Sequence, residues 1–211
     1  TNTKISKQVK NYALNTKIPV LILGASSGIG KEIFDIFKIN RNIKIIASYN
    51  NNKITSNKKN IDIYRIGIKN ILKEIKSILN RFNNLRIYYF ISPKILLTEN
   101  NNSKIIEYKN FFIDIPNKII SLVPKNLNIE FFYPSTVFID NPPKGFQNYI
   151  QAKIEGEKLC KMLNKSDIIN IIAPRLPPLA TDQNQSIINH QSKENIKILL
   201  PFIKAMQRQL P

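Results

Sequence analysis

Cysteine and histidine each occur once in the 211 residues, as Cys160 and His190. A lone cysteine excludes an intrachain disulfide and fits a reducing, cytoplasmic setting. One cysteine and one histidine 30 positions apart do not make a zinc site, so no metal is expected. Acidic residues are also scarce: 14 Asp and Glu face 32 Lys and Arg, a formal net charge of +18. Such a surplus can favour nucleic acid, an anionic membrane or an acidic protein. Here the lysines form no long block, and no zinc-finger or RNP-type aromatic motif accompanies them. Lysine, asparagine and isoleucine are heavy throughout, as in chains encoded by AT-rich DNA, and nucleic-acid binding is not expected as the main role. No apolar run reaches the roughly 18 residues of a membrane span. The opening TNTKISKQVK lacks the apolar segment of a secretory signal. Glycine is the last scarcity. There are six, and three of them fall at positions 24, 28 and 30.

What is present reads as globular, with 43% hydrophobic residues in a length that suits one domain. Residues 1–17 are polar and basic and read as a leader, with a single domain over 18–211. IPVLILG (18–24) is a short apolar run ending in glycine, the mark of a strand buried on both faces. Further strands are predicted at 43–49, 61–66, 85–92, 129–135 and 167–175. Helices are predicted after Gly24 and at 69–82, 103–123, 147–163 and 193–210. Pro116 should bend its helix or restart it, and Pro201 should interrupt the last one. Six strands alternating with helices predict an α/β, Rossmann-type doubly wound parallel sheet with helices on both faces.

The glycine cluster GASSGIG lies between the first strand and its helix. Gly24 can make the tight exit from the strand. Gly28 or Gly30 lets a phosphate approach the backbone and lets the helix pack closely on the sheet. The helix end then offers N–H groups and a positive dipole end to a pyrophosphate. The candidate cofactor cradle is therefore Gly24, Ser26, Ser27, Gly28, Ile29 and Gly30.

Tyrosine four positions before lysine occurs twice, at Tyr49–Lys53 and Tyr149–Lys153. Tyr49 ends a strand in an asparagine run with no hydroxyl residue suitably placed. Tyr149 and Lys153 lie one turn apart on a predicted helix, near the carboxyl ends of the strands, where open parallel sheets bind ligands. YPST precedes them, with Ser135 and Thr136 lying 14 and 13 positions before Tyr149.

From 18 to 182 the chain resembles the short-chain dehydrogenase/reductase family, on GASSGIG, the YPST hydroxyls and the Tyr149–Lys153 pair. The resemblance implies a carbonyl reduction. Negative charge develops on the carbonyl oxygen, and Tyr149 supplies a proton. The Lys153 ammonium would lower the phenol's pKa from its ordinary value of about 10 and bind the nicotinamide ribose. Ser135 or Thr136 would hold the carbonyl oxygen, the choice between them being open. Asn110, with Pro124 following, matches the family's relay asparagine.

No acid occupies ASYNNNK at the end of the second strand, so NADP(H) is the expected cofactor, with Ser48, Lys53 and Lys58 near its 2′-phosphate. Asp62 matches the adenine contact. FISP, with Ser92, stands where the family has Asn-Asn-Ala-Gly. RLPPLATD replaces Pro-Gly-x-x-x-Thr and leaves Thr181 as the nicotinamide amide contact. Against the family the chain stops early, within a short lid region at 176–211. That implies an open pocket, a tethered substrate or a completing partner.

The expected substrate is a small-molecule or carrier-bound carbonyl compound, such as an acyl or polyketide chain. An acidic carrier protein and a second copy of the chain are candidate partners. The rival reading is a non-catalytic NADP(H) sensor or scaffold.

Overall fold

Strand β1 (Val20–Leu23) is wholly buried, and its side chains alternate between two cores. Leu21 and Leu23 enter one core, Val20 and Ile22 the other, as the two-residue period of a strand requires. The computed structural model describes residues 17–39, 42–96, 102–164, 166–179 and 192–207. The leader lies almost entirely outside them, as do His190 and Thr181.

The chain continues through α1 (Gly28–Lys38), β2 (Ile45–Tyr49), β3 (Ile61–Arg65), α2 (Ile71–Leu79) and β4 (Asn84–Tyr89). Helix α3 (Asn102–Lys109), a π-helical turn (Asn110–Asp114) and α4 (Ile115–Ser121) form one broken rod. There follow β5 (Asn128–Phe132), the short β6 (Ser135–Thr136), a 3₁₀ turn (Val137–Ile139) and α5 (Gln147–Leu163). Strands β7 (Ile169–Ile172) and β8 (Arg175–Leu176) precede α6 (Ser192–Gln207).

Six strands form a parallel sheet in the order β3-β2-β1-β4-β5-β7, as a doubly wound Rossmann-type fold requires. The first core packs α2, the broken rod and α5 against one face, and the second packs α1 and α6 against the other. The winding reverses between β1 and β4, so the topological switch point lies beside Gly24 and Phe90. There Phe90 N–H donates to Leu23 O at 2.8 Å. Among the described residues no helix is long and apolar enough to cross a membrane.

Two features depart from the sequence expectation, and a third gives an expected break its form. Strands β6 and β8 form a separate two-stranded parallel ladder beyond the main sheet, where the sequence pattern simply lengthened strands five and six. Pro201 stays inside α6 rather than interrupting it.

The expected break at Pro116 takes the form of a π turn. Ile115 N–H reaches back to Asn110 O, and Pro116, at the start of α4, has no N–H to give. The carbonyls of Phe111 and Phe112 therefore lose their helical donors. Two buried tyrosines replace them: Tyr89 Oη donates to Phe111 O at 2.6 Å, and Tyr133 Oη donates to Phe112 O at 3.0 Å.

A buried ion pair crosses the sheet on the α6 side. Arg86 Nε donates to Glu130 Oε2 at 2.6 Å and to Met206 O at 3.0 Å, tying β4, β5 and the end of α6 together.

Candidate active site

The turn after β1 is shaped by close approach. Gly24 has φ +83°, and a Cβ there would lie 2.8 Å from Phe90 O. A Cβ on Gly30 would lie 2.1 Å from Gly24 O, so the first turn of α1 can sit against the loop only without a side chain. Gly28 opens α1 with φ +55°, and the N-cap Ser27 is extended and makes no capping hydrogen bond from its side chain. Gly24 N–H donates to Ser48 Oγ at 3.0 Å, which pins the loop to the end of β2.

Two clefts flank this turn and share Ser27, Phe90, Ile91 and Ser92. The first is polar and runs over Gly24, Ser26, Ser48 and Asn50 to Asn52, closing on Ile66 to Ile68. The second is largely apolar and contains Gly28, Ile29, Ser135, Thr136, Tyr149 and Lys153. One polar and one apolar chamber, joined over a helix N-terminus at a topological switch point, fit a dinucleotide laid across the turn. The residues present therefore fit such a cofactor.

Helix α5 buries Tyr149, Ala152, Lys153, Gly156 and Cys160 along one stripe at helical spacing. Tyr149 is 8% exposed and stands edge-on to Phe112, with ring centroids 5.6 Å apart, and to Tyr108, at 6.0 Å. The Thr136 side chain lies beside the Tyr149 hydroxyl. Burial pushes the phenol up to about 12, against the smaller lowering effect of Thr136.

Lys153 is 4% exposed, and its Nζ donates to Pro134 O at 2.7 Å. The ammonium lies 3.9 Å from the Phe112 ring centroid, 4.9 Å from that of Tyr133 and 5.8 Å from that of Tyr149. Burial pulls it down to about 7. Lys153 is expected to lower the Tyr149 pKa; instead, loss of water raises the phenol and lowers the amine.

The two upstream hydroxyls part company. Ser135 lines the cleft, but its Oγ donates to Glu157 Oε1 at 2.6 Å. Arg175 grips the same carboxylate with two donors, Nε to Oε1 at 2.9 Å and Nη2 to Oε2 at 2.8 Å, and also pairs with Asp140. Thr136 accepts from Phe138 N–H at 3.3 Å and meets Tyr149. Glu157 escaped sequence reading although it follows Lys153 by one turn on the same face. Its partner Arg175, and the Asp140 that pairs with the same arginine, are distant in the chain and carry no motif.

Other expected residues are placed elsewhere. Asn110 opens the π turn and lines an outer groove with Ser103, Glu107 and Asp114, not the cleft. The widened turn carries Phe111 and Phe112 inward instead. Asp62 pairs with Lys44 at 2.5 Å and Arg81 at 3.1 Å and does not line the polar chamber. Its carboxyl is held below the ordinary range, although burial opposes the two cations. Lys53 is exposed and outside the chamber lining, and Lys58 donates to Lys38 O. Tyr49 lines the polar chamber, apart from Tyr149. Ser92 lines both chambers and donates to Pro93 O at 2.9 Å. Pro177, Pro178 and Leu179 lie along the apolar chamber.

No family model matches the sequence, and no curated protein matches it. Solved structures do. The KRED1-Pglu enzyme superposes with a TM-score of 0.74 at 13% identity, over 93% of this chain and 97% of that one. The fold is that of the short-chain dehydrogenases. A short chain dehydrogenase from Burkholderia cenocepacia J2315, in complex with NADP, gives 0.69 at 10% identity, over 88% and 84%. One from Escherichia coli CFT073, complexed with NADPH, gives 0.69 at 10%, over 92% of each chain.

Proposed function

We propose that the protein is an NADPH-dependent carbonyl reductase of the short-chain dehydrogenase type. The observation that carries this reading is the meeting of the Tyr149 hydroxyl and the Thr136 side chain inside an apolar chamber that adjoins the glycine turn. A reduced nicotinamide bound across that turn supplies the hydride. Thr136 and Tyr149 hold the substrate carbonyl oxygen between two hydroxyls, and Tyr149 gives that oxygen a proton as negative charge develops on it. With its pKa pushed up to about 12, the phenol is protonated at neutral pH, the form that can donate to the developing oxyanion. Ser135, held by Glu157, is assigned to fixing the loop, and Thr136 to substrate contact. Lys153, at the floor of the chamber, is assigned to the ribose.

The expected outcome for Tyr149→Phe is a loss of about 10²–10⁴-fold in ketone reduction, with NADPH binding intact by fluorescence titration. Undiminished turnover across a panel of ketones would refute the mechanism. If NADPH binds tightly and no ketone is ever reduced, the sensor or scaffold reading replaces it.

The preference for NADP(H) rests on the polar chamber, whose β2 rim is Ser48, Tyr49 and Asn50 to Asn52, without a carboxylate to repel a 2′-phosphate. Calorimetric titration should show tighter binding of NADPH than of NADH, and the opposite order would remove the assignment.

A further inference from the structure

The apolar chamber has an unequal distribution of polar atoms. Most that line it are already engaged: Tyr89 Oη by Phe111 O, Ser92 Oγ by Pro93 O, Ser135 Oγ by Glu157, and Lys153 Nζ by Pro134 O. The Thr136 and Tyr149 hydroxyls form one polar point at the reacting end, with Thr136 also accepting from Phe138 N–H. Away from that point the lining is Ile95, Phe138, Phe146, Leu176 and Leu179. Phe138 belongs to the 3₁₀ turn and Phe146 caps α5, and their rings meet at 5.4 Å and 54°. Both are only half-buried, so a ligand entering here covers aromatic surface that water now touches. Among the described residues no arginine lines the chamber, and its one cation is Lys153, buried under aromatic rings and bonded to a carbonyl. A carboxylate or phosphate beside the reacting carbonyl would be stripped of water here without a new partner.

We infer that this chamber takes an uncharged, hydrophobic ketone, with its alkyl or aryl body against the Phe138–Phe146 pair, and rejects 2-keto acids. This inference rests on the reductase reading, and its test separates the two.

Matched pairs are compared: acetophenone with phenylglyoxylate, and 2-octanone with 2-oxooctanoate. In NADPH oxidation assays each neutral ketone should exceed its keto acid in kcat/KM by about 100-fold or more. The Phe138→Ala/Phe146→Ala protein should raise KM for acetophenone about tenfold or more, by loss of buried aromatic area. Saturation-transfer NMR of the same four compounds, with and without NADPH, reads occupancy without turnover. It should show acetophenone bound, phenylglyoxylate not, and the acetophenone signal lost in the double variant. If the keto acids are reduced or bound as well as the neutral ketones, or the double variant leaves acetophenone unaffected, the substrate class is wrong while the reductase reading stands. If no compound is reduced yet the binding pattern holds, the reductase reading fails and the chamber's chemistry stands.

Discussion

Lys153 shows how burial alone can set a group's chemistry. Its folded-state pKa is near 7 against an ordinary 10.5, because the charged form has lost its water. Between those values the unfolded chain holds more protons than the folded one. This group's contribution to stability is therefore complete above about 10.5 and lost as pH falls towards 7. Tyr149 acts oppositely and higher: with its pKa raised from 10.0 to about 12, it lowers stability above pH 10. Urea titrations between roughly pH 7.5 and 9.5 should thus show stability rising with pH, and Lys153→Met should remove up to about 1.4 kcal/mol per pH unit of that slope. An unchanged slope would mean that Lys153 is not buried as a neutral amine. At this scale the sequence was legible in part. It marked Tyr149, Lys153 and the two hydroxyls, but it could not say that Glu157 captures Ser135, because the Arg175 that aligns Glu157 lies 18 residues further on.

Among the elements, the rod from α3 to α4 is the one whose break has a full hydrogen-bond account. Pro116 announces a break in the sequence. The remedy for the two released carbonyls comes from Tyr89 and Tyr133, which lie on other elements. Gly156 on α5 belongs to the same arrangement, since a Cβ there would lie 2.0 Å from Tyr133 Oη. Tyr133→Phe should therefore cost about 1–3 kcal/mol, the penalty for an unsatisfied buried carbonyl. Tyr88 is the control. Its hydroxyl is equally buried, and among the described residues it has no hydrogen-bond partner. Tyr88→Phe should leave stability unchanged or raise it, as judged by the midpoint of chemical denaturation. Equal losses in both variants would contradict the assignment of the carbonyls.

For the whole molecule, the surplus of +18 has a proposed use in docking an acidic carrier protein that presents the carbonyl substrate. Attraction between opposite net charges weakens with salt, over a screening length of about 10 Å at 0.1 M. Raised salt should lower kcat/KM several-fold for a carrier-bound substrate and leave a free ketone unaffected, measured on one preparation. Equal sensitivity of both substrates would dismiss the carrier.

The sequence by itself determined the order of strands and helices, the two-faced burial of the sheet and the glycine turn, because each is written in local periodicity or in the steric needs of a single residue. It also determined that a phenol and an amine share one face of α5. Only the tertiary structure decided that Thr136 rather than Ser135 meets the phenol, that Asn110 and Asp62 lie away from the chambers, and that burial pulls Lys153 down to about 7. Those outcomes depend on partners brought together by folding, and on the water that folding removes.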